Sequence, residues 1–122
     1  DVKAQFLLAS MYYEGAGVER DFERAAQWYR RAADQGSAAA EHTLGVIYER
    51  GEGVTPDPAE AYLYYRRAAE HGYAAAQNNL GLLYYEGRGV DQDYGEALRL
   101  DPDDEQAAER VCTYLGLVGT NH

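Results

Sequence analysis

The sequence predicts an all-α fold built from a short tandem of helical hairpins. A Gly-x-Gly-Val pattern occurs three times, and its first glycines, Gly15, Gly51 and Gly87, are 36 residues apart both times. Within each unit, apolar residues recur at helical spacing. Ser or Asp residues stand before most apolar runs, where a helix N-cap is expected. A fixed period of this size is typical of stacked two-helix units.

The first helix of each unit is clearest in the second one, where the pattern predicts a helix from Ser37 to Arg50. Its apolar residues follow i, i+4, i+7 and i+8, which places on one face Ala40, Leu44, Ile47 and Tyr48. Gly51 follows as a C-terminal cap with positive φ. Gly53 is expected to adopt a positive φ in the tight reversal behind it.

The second helix is predicted to begin at Asp57-Pro58-Ala59-Glu60. Asp suits the N-cap, Pro the first helical position and Glu the third, as in a capping box. The helix ends at Gly72, and its apolar residues are Ala61, Tyr64, Tyr65, Ala68 and Ala69. Gly45 and Gly81 interrupt the first helices, and we expect close contact there with the small Ala61 and Ala68 of the paired helix.

The repeated pattern A-x-x-x-L-G-x-x-Y-x-x-G-x-G-V-x-x-D-x-x-x-A-x-x-x-Y-x-x-A-A-x-x-G resembles the Sel-one-like repeat (SLR), a relative of the tetratricopeptide repeat. The second unit matches throughout: Ala40, Leu44, Gly45, Tyr48, Gly51, Gly53, Val54, Asp57, Ala61, Tyr65, Ala68, Ala69 and Gly72. Ala9 replaces the helix glycine in the first unit, and the third matches from Ala76 to Ala97. The resemblance implies a right-handed α/α solenoid of antiparallel helix hairpins, a superhelix with adaptor or scaffold roles.

The register divides the chain into two whole repeats over 1–36 and 37–72 and a partial third repeat over 73–101. After Leu100 the pattern stops, and Asp101-Pro102 reads as another helix start. A C-terminal capping helix is predicted over 102–117, followed by a tail over 118–122. The apolar stripe of that helix comprises Ala108, Val111, Cys112 and Leu115.

Composition narrows the function classes. The chain is 46% hydrophobic and 26% charged, with a net charge of −10. That balance disfavours binding to nucleic acid phosphates and to anionic membrane surfaces. It favours a protein or peptide partner that is basic or of mixed charge. One cysteine, Cys112, allows no disulfide within the chain and does not identify a compartment.

The candidate chemical motifs favour structural readings over catalysis. The Gly-x-Gly segments close helices, whereas phosphate loops follow a strand and open a helix. His42, His71 and His122 lack metal-ligand spacing and are expected to be ordinary surface residues. Cys112 is expected to be a buried, inert thiol. The sequence therefore predicts no catalytic residues, no metal and no cofactor.

Recognition is predicted on the inner, concave surface that repeats of this kind form with their first helices. The positions beside the core stripe differ between repeats while the core positions do not, which favours a binding surface on a constant scaffold. We call these positions the inner face: Phe6, Leu7, Ser10, Tyr13, His42, Thr43, Val46, Glu49, Asn78, Asn79, Leu82 and Tyr85. A merely solvated surface is the alternative.

The N-terminal end suggests a second mode of association. Asp1 stands in register with Ser37, so the first repeat begins at its N-cap with no repeat before it in this sequence. Phe22, Trp28 and Tyr29 are expected to be partly exposed there, which would favour self-association.

The sequence thus predicts a protein-interaction module that binds a peptide or protein segment on its inner face. The first alternative is a structural segment of a longer array, or a homo-oligomer joined through the N-terminal repeat. The second is a β-lactam-binding or hydrolysing enzyme, because the resemblance extends to cysteine-rich bacterial relatives linked to that chemistry.

Overall fold

The computed structural model describes residues 1–102 and, beyond them, Glu105 and Glu109. These residues form six helices, with no strand among them: α1 (Val2–Glu14), α2 (Phe22–Asp34), α3 (Ala38–Arg50), α4 (Pro58–Glu70), α5 (Ala74–Glu86) and α6 (Tyr94–Leu100). Each helix packs mainly against its neighbours in the chain. The predicted all-α helical repeat is therefore confirmed. The predicted capping helix over 102–117 and the tail lie outside the described residues, apart from Pro102, Glu105 and Glu109.

Side-chain caps begin five of the six helices. Asp21, Asp57 and Asp93 each accept a hydrogen bond from the backbone N–H three residues later, at 3.1, 3.2 and 3.0 Å. Ser37 does the same at the start of α3, at 3.2 Å. Such bonds satisfy N–H groups that have no partner within the helix. The capping Asp residues are 36 residues apart, so the second helix of each hairpin begins at the same position of the repeat.

The loop glycine Gly53 brings neighbouring repeats together. Its φ is 77°, as the sequence predicts. A Cβ on Gly53 would lie 2.6 Å from the carbonyl carbon of Phe22 and 2.7 Å from the amide nitrogen of Glu23. The loop after α3 therefore rests directly on the backbone at the start of α2. Close approach between repeats, as well as the turn itself, requires glycine there.

The core consists of two adjoining clusters that share helix α4. The first joins α1 to α4 through Ala9, Ala25, Ala26, Tyr29, Ala32, Ala33, Ala40, Leu44, Ile47 and Tyr64. The second joins α4 to α5 through Ala61, Tyr65, Ala68, Ala76, Leu80 and Leu83. The adjacent Tyr64 and Tyr65 thus enter different clusters. Buried alanines let the helices approach closely, and the tyrosines fill the remaining space.

The sequence predicts that Gly45 lies against the small Ala61 and Ala68 of the paired helix, and this prediction is wrong. A Cβ at Gly45 would lie 2.5 to 2.9 Å from ring atoms of Tyr65, so the glycine makes room for an aromatic ring. At Gly81 the nearest atoms are the carbonyl oxygen of Ala97 and the Cβ of Leu100, at 3.4 and 3.5 Å. The two glycines therefore have different packing environments despite their equivalent positions.

The sequence predicts that Phe22, Trp28 and Tyr29 are partly exposed at the N-terminal end, and this prediction is wrong for Tyr29. Phe22 and Trp28 are half-buried, but Tyr29 is only 3% exposed. Its ring contacts Phe6 edge-on, and its hydroxyl lies 3.0 Å from the Ser10 hydroxyl. The exposed apolar side chains at this end belong to α1 instead.

Within residues 1–102, no helix has the length and apolar character needed to cross a membrane.

Candidate functional site

The inner-face positions recur on α1, α3 and α5 at the same register, and their exposure varies. Leu7, Asn78 and Leu82 are exposed, and the other nine residues are half-buried. Leu7 and Leu82 have 62% and 47% of their surface accessible. Several of the half-buried side chains connect one repeat to the next.

The same two positions of the repeat are bonded to each other at both junctions between repeats: Tyr13 and Glu52 at the first, and Glu49 and Arg88 at the second. The Tyr13 hydroxyl donates to Glu52 Oε1 at 2.6 Å. One repeat later, Arg88 Nη1 lies 3.0 Å from Glu49 Oε2. Burial, reinforced by the hydrogen bond to Glu52, raises the pKa of Tyr13 to about 12. Its hydroxyl therefore stays protonated and acts as a donor at neutral pH.

Glu49 also contacts its own hairpin. The Tyr65 hydroxyl donates to Glu49 Oε1 at 2.7 Å, while Arg88 contacts Oε2. Burial of the ring and the neighbouring carboxylate raise the pKa of Tyr65 well above its usual range. Glu49 is thus held from two sides, which orients its carboxylate on this surface.

His42 links α3 to α5 rather than lying free on the surface. Its Nε2 is 2.9 Å from Asn79 Nδ2, and its ring centroid lies 5.1 Å from that of Tyr73 and 5.7 Å from that of Tyr65. Burial lowers the pKa of His42. The expectation of an ordinary surface histidine is therefore wrong for this residue.

The open part of the inner face near the N-terminus is apolar. Phe6 and Leu7 lie there beside Val2 of α1 and Ala39 of α3, around a cavity of about 290 Å³ that Lys3 and Ser37 also line. Two of the predicted inner-face residues therefore flank a concave apolar surface between two first helices. This arrangement could hold an apolar side chain.

The described residues show no arrangement for metal chemistry. Within residues 1–102, no group of three or more His, Cys, Asp or Glu side chains could hold a metal ion. His71 is engaged by Glu41, at 2.7 Å from Nδ1 to Oε1. Cys112 and His122 lie outside the described residues.

Glu41 is the polar residue that sequence reasoning missed. It is only 3% exposed, in the first turn of α3. A signal was present, since Glu41 precedes the core residue Leu44 by three positions and so shares its side of the helix. Its partner His71 follows α4, a pairing that the helical pattern of α3 does not reveal.

Comparison with known proteins places these features in a family. The model for the Sel1 repeat matches residues 2–37, 38–73 and 74–100. Proteins of this family are mainly non-enzymatic and are generally protein-interaction solenoids. No curated protein sequence matches the chain.

Solved structures agree with that assignment. A protective antigen of uropathogenic Escherichia coli strains, which displays an SLR fold, is 42% identical with a TM-score of 0.81, over 90% of this chain and 23% of that one. A Sel1 repeat protein from Oxalobacter formigenes is also 42% identical with a TM-score of 0.81, over 89% of this chain and 42% of that one. The chain thus spans less than half the length of these two proteins.

A third structure supports the fold alone. The cysteine-rich protein B of Helicobacter pylori is 24% identical with a TM-score of 0.62, over 89% of this chain and 87% of that one. Because the repeat matches run without interruption from residue 2 to residue 100, this protein belongs to the Sel1 repeat family.

Proposed function

We propose that this chain is a protein-interaction module that binds a peptide or protein segment on its inner face. The observation that carries the proposal is the exposure of large apolar side chains. Among residues 1–102, Leu7 and Leu82 are two of the four large hydrophobic residues that are exposed, and both occupy inner-face positions. Exposed apolar residues beside a concave surface favour a protein partner.

The surroundings of Leu7 and Leu82 suggest the chemistry of the partner. The cavity beside Phe6 and Leu7 suits an apolar anchor, and Asn78 is an exposed amide that can pair with a peptide backbone. The net charge of −10 attracts a segment that also carries lysine or arginine. The proposed ligand is therefore an apolar and basic segment.

The test begins with peptides selected from a random library on the intact chain, followed by calorimetry on variants. Leu7→Lys and Leu82→Lys should each weaken binding of a selected peptide, because a charge replaces an apolar contact. Leu63→Lys is the matched control, since Leu63 is similarly exposed at 44% but lies on α4, away from the inner face. Unchanged affinity in both inner-face variants, or equal loss in the control, would contradict the proposal.

A second candidate is end-to-end self-association through α1. In α3, the side chains of Ala40, Leu44 and Ile47 are fully buried in the first core cluster. Their equivalents on α1 form what we call the front face: Ala4 is exposed, Leu8 is half-buried and Met11 is 38% exposed. The front face occupies the positions that, on α3, pack inside the core. It could therefore accept the second helix of another repeat.

Light scattering over a range of concentrations tests this second candidate. The expected result is a mass that rises with concentration in the unmodified chain and stays monomeric in Met11→Glu. Leu63→Glu serves as the control, because it places the same charge at a comparably exposed site on α4. A mass that corresponds to one chain at every concentration would rule out self-association.

A further inference from the structure

The junction between the first two hairpins contains an aromatic stack. The rings of Tyr48 and Tyr64 lie 5.7 Å apart at an interplanar angle of 12°. Arg30 Nη2 donates to the Tyr48 hydroxyl at 2.8 Å. Tyr64 is 9% exposed, so its ring is almost completely covered.

The next junction has the same positions but lacks the stacked ring, and Tyr62 of α4 instead meets Tyr84 edge-on, with the ring centroids 5.7 Å apart at an interplanar angle of 90°. The equivalents of Arg30, Tyr48 and Tyr64 are Arg66, Tyr84 and Leu100. With leucine in place of Tyr64, no ring at that position stacks on Tyr84. Arg66 instead lies 3.6 Å from Glu70, and the Tyr84 hydroxyl is 2.8 Å from that of Tyr62.

A cavity of about 630 Å³ lies at this second junction, between α4, α5 and α6. Its walls include all three equivalents, Arg66, Tyr84 and Leu100, together with Tyr62. None of the described residues that line it belongs to the inner face. The cavity is therefore a different surface from the one in the proposed function, and it does not depend on that function.

The charges around this cavity are paired with one another. Arg66 lies beside Glu70, and Arg99 forms an ion pair with Glu96. The described lining thus combines aromatic and aliphatic residues with polar ones, and its charged side chains are balanced. Burial, together with the Tyr62 hydrogen bond, raises the pKa of Tyr84 to about 12. A neutral ring with one polar edge suits such a site better than an anion.

We propose that this cavity binds an uncharged aromatic side chain of a partner polypeptide, with tyrosine preferred. The ring would pack against Tyr84, as Tyr64 packs against Tyr48. Its hydroxyl would accept a hydrogen bond from Arg66, which lines the same cavity. The first junction thus serves as an internal template for the ring of the ligand.

The experiment titrates N-acetyl-tyrosinamide into the full 122-residue chain and follows the ring signals of Tyr84 and the side chain of Arg66 by NMR. Saturable shifts at both residues are expected. Leu100→Tyr should abolish them, because it supplies the ring that Tyr64 supplies one repeat earlier. Leu63→Tyr adds the same residue at an exposed position on α4 and should leave them unchanged. Absence of saturable shifts, or equal effects of the two variants, would overturn the proposal.

Two further variants test the role of Arg66 and whether a ring of this chain fills the cavity. Arg66→Ala should remove a preference of about two- to tenfold for N-acetyl-tyrosinamide over N-acetyl-phenylalaninamide, which lacks the hydroxyl. This variant tests the site even if Leu100→Tyr folds poorly. An unaltered preference would contradict the role of Arg66. Tyr114 is a tyrosine of this chain outside the described residues. Binding seen only in Tyr114→Ala would mean that a ring of this chain fills the cavity, which would exclude the proposed partner.

Discussion

His71 Nδ1 donates a hydrogen bond to Oε1 of Glu41 over 2.7 Å, and no other described side chain is hydrogen-bonded to that buried carboxylate. The Glu41 side chain is 4% exposed, whereas that of His71 is 49% exposed. One repeat earlier, the equivalent residues Gln5 and Gln35 are also hydrogen-bonded, at 2.7 Å. The same two positions therefore join the start of the first helix to the end of the second in both hairpins.

The first prediction concerns this pair. His71→Ala should lower the free energy of unfolding by about 1–3 kcal/mol, because it leaves a buried carboxylate without its hydrogen bond. The double variant Glu41→Gln/His71→Gln copies the Gln5–Gln35 pair and should recover most of that loss. Urea denaturation measures both, with Gln35→Ala as an exposed control. The role assigned to the pair fails if His71→Ala is no worse than Gln35→Ala.

The second prediction separates backbone strain from contact between repeats. Gly17 and Gly53 have φ values of 79° and 77°, so alanine at either site should cost about 1–2 kcal/mol. Gly53→Ala should cost more, because its Cβ would also meet the backbone of Phe22, whereas Gly17 has only the end of Met11 nearby, at 3.6 Å. Equal losses on thermal or urea unfolding would mean that the loop does not need this close approach.

The third prediction compares the two helix glycines. Gly45→Ala should destabilise by about 1–3 kcal/mol, because the new methyl group would overlap the fixed ring of Tyr65. Gly81→Ala meets its nearest atom at 3.4 Å and gains about 1 kcal/mol of helix propensity. It should therefore be neutral or stabilising. Denaturant midpoints measure the contrast, and the same sign for both variants would refute it.

The fourth prediction concerns pH. Burial lowers the pKa of His42 in the folded protein, so the unfolded chain binds a proton more readily. The associated stability is fully present above the unfolded pKa, about 6.5, and is lost as pH falls through the lower folded value. As oriented, Asn79 donates to Nε2, so protonation there would also require its amide to turn. His42→Gln should show a flatter loss of stability below pH 6.5 than the unmodified chain, and parallel curves would count against this assignment.

The helices and caps could be predicted because their causes are local. Asp57 and Ser37 act on N–H groups three residues away, and the apolar stripe of α3 follows from the helical period. Gly53 was predicted to adopt a positive φ for the same reason. The Tyr65 ring beside Gly45 was not predicted, because its direction depends on how α4 packs against α3.

The inner face was predicted only as a set of positions. The helical register places Tyr13 and Glu49 at equivalent sites, and that much follows from the repeat. Their bonds to Glu52 and Arg88 depend on the distance between repeats. Periodicity within one helix carries no information about that distance, so these bonds could not be predicted from the sequence.

By itself, the sequence determined the 36-residue repeat, the helical hairpins, their caps and the apolar side of each helix, since these depend on residues within a few turns of one another. Tertiary structure alone decided that Glu41 is buried against His71, that Tyr29 is covered, and that a cavity remains beside Tyr84 where Leu100 replaces a tyrosine. These features depend on how one hairpin packs against the next. Side-chain volume and the separation of helices, rather than local propensity, decide which side chains are buried and where a cavity remains.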